Sequence, residues 1–79
     1  PVLIGQLQVD FQGYEAFVQG APVKMSHKEF EILRYLWQRR NETVSRNDLL
    51  EHVWGYEAFP TTRTVDNFIL KIRQKVEED

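Results

Sequence analysis

The six-residue stretch MSHKEF at residues 25–30 returns in chemical outline as VSRNDL at residues 44–49. Each runs apolar, serine, two polar residues, acid, apolar. That is the signature of a helix start. The serine hydroxyl accepts from the backbone N–H three residues on, the acid reaches back to the serine's own N–H, and the flanking apolar residues close as a staple. Ser26 with Glu29 and Ser45 with Asp48 therefore fix two helix starts, Met25–Phe30 and Val44–Leu49 being the staples. In a chain of 79 residues, two helices of known start leave few architectures open.

After the first start, Phe30, Leu33, Leu36 and Trp37 recur at helical spacing with Ile32 beside them, which predicts a helix over about 27–40. Arg39 and Arg40 would then fall in its last turn, where cations favour the dipole, and Asn41 would take a left-handed C′ position. After the second start, Leu49, Leu50, Val53 and Trp54 form the apolar stripe and Gly55 ends it. The NETV connection between the two helices is short enough to pack the second across the first. GYEAFPTT follows as a loop, with Pro60 marking it non-helical.

Ahead of Ser26 the period changes from helical to alternating. In LQVDF, Leu7, Val9 and Phe11 alternate with polar residues, as in a half-buried strand. Gln12-Gly13 supplies a turn, YEAFV a second strand, QGAP another turn with Gly20 at positive φ, and VKM a short closing strand. Residues 1–25 thus read as an antiparallel meander, too small to stand alone.

A third helix is predicted over about 62–76. At ~100° per residue, Val65, Phe68, Ile69, Ile72 and Val76 fall within about 60° of one line and form a core stripe. Arg63, Asn67, Leu70, Lys71 and Gln74 lie opposite, flanked by Thr64 and Lys75 on one side and Asp66 and Arg73 on the other. Residues 61–75 hold four cations against Asp66 alone, a local balance of +3 in a chain of net charge −2. Contact depends on the local field, so the net charge does not decide the matter. Three helices, the last with a polar-basic outer face, describe a helix-turn-helix that fits the major groove of DNA. Arg63 and Lys71 suit guanine, Asn67 and Gln74 suit adenine, and Arg73 and Lys75 suit phosphates.

Catalysis finds no support. His27 and His52 have no metal-spaced partners, no glycine-rich phosphate loop is present, and Glu29 is occupied by its cap, so neither catalytic residues nor a metal or cofactor is expected. There is no cysteine, which excludes disulfides and thiolate metal sites. No apolar run is long enough to span a bilayer and no export leader is visible, so the expectation is a cytoplasmic domain, 1–79, within a longer protein.

Three further stretches together carry a family resemblance: S-x-K-E-F-x-I-L-x-Y-L from Ser26, V-S-R-x-x-L-L-x-x-V-W-G-Y from Val44, and R-T-V-D-x-x-I-x-x-I-R-x-K from Arg63. In this order they resemble the DNA-binding effector domain of OmpR/PhoB-type response regulators. The resemblance spans nearly the whole chain. It implies an α+β fold in which a four-stranded N-terminal sheet (1–25) precedes a three-helix winged helix-turn-helix (26–79). It also implies that Arg63, Phe68 and Lys71 face the groove, that Arg73 meets the DNA backbone, and that Trp54 is packed. The loop carrying Tyr56, Glu57, Phe59 and Thr61 would be the RNA polymerase contact, and the full-length protein would bind tandem half-sites as a homodimer. Two departures stand out. Relatives often carry His, Tyr or Asn at the position of Phe68. The family also continues through a β-hairpin wing, whereas this chain ends at KVEED, so apolar surface beside the third helix should be less covered. Two other readings fit the same residues: a winged-helix protein-interaction module without DNA binding, and the DNA-binding part of a one-component sensor.

Overall fold

The computed structural model describes residues 1–55 and 60–77. Four short strands, β1 (Val2–Ile4), β2 (Leu7–Asp10), β3 (Glu15–Val18) and β4 (Ala21–Pro22), form one antiparallel sheet in the order β1-β2-β3-β4. The register sets Val2 against Val9 and Ile4 against Leu7, then Leu7 against Val18 and Val9 against Ala16. Alternation therefore delivers Leu7, Val9 and Ala16 to the core, where each is almost wholly buried.

The meander differs from expectation in where its last strand lies. Gln19 and Gly20 both adopt positive φ, which makes a two-residue hairpin turn and lets pairing resume at Ala21 rather than at Val23. Residues 23–25 carry no strand, although the Val23 N–H still donates to the Ala16 carbonyl at 2.8 Å. Pro22, which has no N–H to give, sits on the free edge. In the β2–β3 turn the Asp10 carboxylate accepts from the N–H groups of Gln12 and Gly13, and the positive φ falls on Tyr14, not on Gly13.

Helix α1 (His27–Gln38) and helix α2 (Arg46–Leu49) both begin with the complete capping box read from the sequence. Helix α1 stops two residues short of expectation. Arg39 leaves the helix at φ −119° while its N–H still donates to Leu36 and Trp37 carbonyls, and Asn41 is not among the residues with positive φ. Arg39 and Arg40 therefore lie beyond the last turn, where they stack on Tyr35 and Trp37 at 4.0 and 4.4 Å. Helix α2 runs on into a π-helical turn, Leu50–Trp54, closed by the Gly55 N–H donating to the Leu50 carbonyl at 2.9 Å. Helix α3 (Thr62–Val76) is capped by the Thr61 hydroxyl and matches the predicted span.

One core joins the layers. Phe30, Ile32 and Leu33 of α1 and Leu49, Val53 and Trp54 of the α2 segment are buried in it. Val65 and Ile72 of α3 meet them and the sheet residues there. Met25 and Val44, the outer halves of the two staples, pack against its margin. Apolar surface beside α3 takes the form of a groove lined by Ile4, Leu33, Leu36, Trp37, Ile72 and Val76, with Arg40 and Arg73 at its rim.

Candidate nucleic-acid interface

Helix α3 is held along its inner side and left open along its outer side. Near its N-terminal half, Phe68 meets Trp54 edge-on with centroids 5.6 Å apart. Arg46, the first residue of α2, reaches Asp66 at 3.1 Å. At the far end Lys75 donates to Glu29, the capping-box acid of α1. The β1–β2 turn receives the C-terminal carbonyls. These ties fix both the axial position and the rotation of the helix.

Opposite them, Arg63, Asn67, Leu70, Lys71 and Gln74 are all exposed, as is Arg73 on the flank. Their helical spacing puts one ridge of donors and cations on the solvent side, and Leu70, 57% exposed, is its apolar member. The Lys71 ammonium leans over the Phe68 ring at 5.6 Å, which orients it without neutralising it. Among the described residues Arg63, Lys71 and Arg73 make no ion pair. Asp66, the one acid in the stretch, is matched by Arg46. The outer face thus retains three cations while the two pairs cancel.

Three of the residues read as DNA contacts, Lys75, Phe68 and Thr64, are not exposed on this ridge. Lys75 turns inward: its side chain is 24% exposed and that of Glu29 only 7%, so a phosphate would have to displace a buried carboxylate. Burial disfavours the charged form of Glu29, but hydrogen bonds from Lys75 and Ser26, together with the Lys75 charge, outweigh it and hold the carboxyl below its ordinary value. Reading Glu29 as a cap alone missed this partner, because a contact spanning 46 positions leaves no trace in local spacing. Phe68 is half-buried against Trp54, so only part of its ring remains to face a ligand. Thr64, also half-buried, gives its N–H to the Thr61 cap. Tyr56, Glu57 and Phe59 lie outside the described residues, and Thr61 is the exposed N-cap of α3.

Sequence reasoning also missed two histidine–tyrosine ring contacts. His52 stacks on Tyr35 with centroids 5.1 Å apart, and the His27 ring lies 4.9 Å from that of Tyr14 at a tilt of 38°, with its Nδ1 2.9 Å from Glu31. Among the described residues no group of three or more His, Cys, Asp or Glu could hold a metal. No described helix is long and apolar enough to cross a membrane.

Residues 20–79 match the family described as "Transcriptional regulatory protein, C terminal". The chain belongs to this family. Within it, the chain is 40% identical over 75 residues to transcriptional regulatory protein VxrB of Vibrio cholerae, covering 95% of this chain and 31% of VxrB. Its fold is similar to that of the Thermotoga maritima response regulator DrrB, an OmpR/PhoB homolog. There the TM-score is 0.80 at 37% identity, over 99% of this chain and 35% of DrrB. The Klebsiella pneumoniae RstA DNA-binding domain, solved in complex with the RstA box, matches with a TM-score of 0.72 and 26% identity, over 95% of this chain and 74% of that one. The chain thus spans about a third of the length of VxrB and DrrB. It has the OmpR/PhoB-type effector fold, a small four-stranded antiparallel sheet followed by three helices, and its relatives are regulators of transcription.

Proposed function

We propose that this chain is the sequence-specific DNA-binding part of a cytoplasmic two-component response regulator, and that α3 reads the major groove. The observation that carries the reading is the division of α3 into a locked inner side and an open outer side on which Arg63, Lys71 and Arg73 make no ion pair among the described residues. A major groove about 12 Å wide admits such a helix. Arg63 and Lys71 are separated by about 12 Å along the axis at ~1.5 Å per residue, enough to span a few base pairs. Either can donate to guanine O6 and N7, while Asn67 and Gln74 have the paired donor and acceptor that adenine requires. Arg73, on the flank, is the phosphate contact, and Leu70 the apolar contact for a thymine methyl. Lys75 has no place in this set because Glu29 holds it.

The RstA domain, solved with its DNA box, is a relative of the same fold and supports the duplex as ligand. By the same likeness we assign residues 1–79 to a single domain. The full-length protein would pair on tandem half-sites as a homodimer, and the stretch from Tyr56 to Thr61 would meet RNA polymerase. No step in this role is catalytic; the chemistry is hydrogen bonding and charge.

Amide and side-chain NMR shifts during titration with a duplex enriched from a random pool test the assignment. The shifts should concentrate on Arg63, Asn67, Lys71, Arg73 and Gln74. Shifts confined to the residues around Tyr14, His27 and His52 would refute it.

A further inference from the structure

The last carbonyls of a helix have no partner within the helix and must be met from outside. At the end of α3 one residue meets two of them and the carbonyl of the C-cap Glu77 as well. The Gln6 backbone N–H donates to the Val76 carbonyl at 3.0 Å, and its side-chain amide donates to Lys75 at 3.0 Å and Glu77 at 3.2 Å. The approach is close enough to select the neighbouring residue as well. Gly5 has φ +57°, and a Cβ there would lie 2.5 Å from the Val76 carbonyl oxygen. The β1–β2 turn is therefore shaped around the end of α3. Glu29 holds Lys75 from the other side, so the last turn of α3 is gripped by both the sheet and the α1 cap.

Lys71 and Gln74 stand on the outer face of these same last turns. Loss of the grip would let this end fray or tilt, and their donors would have to be ordered again on binding.

We propose that Gln6 is a positioning residue for DNA recognition: through the β1–β2 turn it fixes the C-terminal half of α3, and so couples the N-terminal sheet to the DNA-facing ridge. The inference rests on α3 being the DNA-reading helix. Coupling is reciprocal, so duplex binding strengthens the turn's hold on α3, and any agent that distorts the turn weakens DNA affinity.

The test uses the whole chain with Gln6→Ala and Gln6→Lys variants at a temperature where circular dichroism shows them folded. The probe is a labelled duplex enriched from a random pool by the wild-type chain. Gln6→Ala keeps the backbone bond but loses both side-chain donors. Gln6→Lys restores a donor and places a cation where the helix dipole favours one. Folded Gln6→Ala should bind at least about fivefold more weakly, the lower end of coupling between sites, with Gln6→Lys within about twofold of wild type. In the wild-type chain, exchange of the Gln6 amide should slow when duplex is added. A residue that only stabilised the fold would leave the affinity of the folded variant unchanged. Folded Gln6→Ala with wild-type affinity would overturn the proposal while leaving α3 as the reader. Should Gln6→Ala fail to fold, the wild-type Gln6 amide decides, and exchange unchanged by duplex overturns the coupling. A wild-type chain that enriches no duplex would sink the DNA reading itself, and the positioning role with it.

Discussion

Replacing Lys75 by Met removes a charge but keeps most of the side chain's length and apolar contact, so it isolates the Glu29–Lys75 pair. Breaking a fully buried pair by deleting one partner costs about 3–5 kcal/mol, because a charge stays buried without compensation. Here Lys75 is 24% exposed and Glu29 keeps its Ser26 hydrogen bonds, which lowers the figure. A loss of about 2–3 kcal/mol follows, or roughly 10–20 °C in Tm for a domain of this size. The deficit should depend on pH. Glu29 titrates in the folded chain below its ordinary value of 4.5, so its contribution is fully present above that value and is lost as pH falls through the depressed folded one. Urea denaturation of wild type and Lys75→Met at neutral pH and across the acid range measures this directly. The two stabilities should converge as Glu29 becomes protonated, since a neutral carboxyl needs no counter-charge. Because Lys75 faces inward, the same substitution should leave the salt dependence of DNA binding unchanged once the variant is fully folded. Equal stabilities at neutral pH, or a salt slope shallower by about 1, would refute the inward placement.

Gly5→Ala forces a side chain into left-handed backbone and against the Val76 carbonyl oxygen at 2.5 Å. Left-handed strain of about 1–2 kcal/mol plus overpacking of about 1–3 kcal/mol should lower stability by at least 2 kcal/mol, measured by thermal unfolding. Ser26→Ala should cost about 1 kcal/mol, since it removes the hydroxyl that caps α1 and one of the hydrogen bonds to Glu29. Arg46→Ala breaks a pair whose side chains are 63% and 51% exposed, so chemical denaturation should register less than about 0.5 kcal/mol.

What the sequence made legible was mostly local. The two capping boxes, the α3 stripe and the polar ridge opposite it depend on spacings of three and four residues, and each stands where the spacing puts it. Boundaries governed by backbone dihedrals were less readable. The positive φ of Gln19 moved the last strand forward to Ala21, and α1 ended at Gln38 without a left-handed residue to announce it. Contacts distant in sequence were not readable at all. Nothing near Lys75 points to Glu29, and nothing near Gln6 points to the end of α3. The outer ridge is exposed as the spacing predicts, while the flank is divided. Of the cations assigned to phosphates, Arg73 lies at the surface and Lys75 does not.

Duplex-DNA binding measured across a salt series, with wild type beside a Lys71→Glu, Arg73→Glu double variant, shows whether α3 is the element that meets DNA. Binding by the wild-type chain should weaken steeply with salt, and it should be lost in a variant that is still folded, because a guanine contact and a phosphate contact are both replaced by carboxylates that the DNA repels. Equal affinity and equal slope in the two proteins would contradict this, and α3 would not be the element that meets DNA.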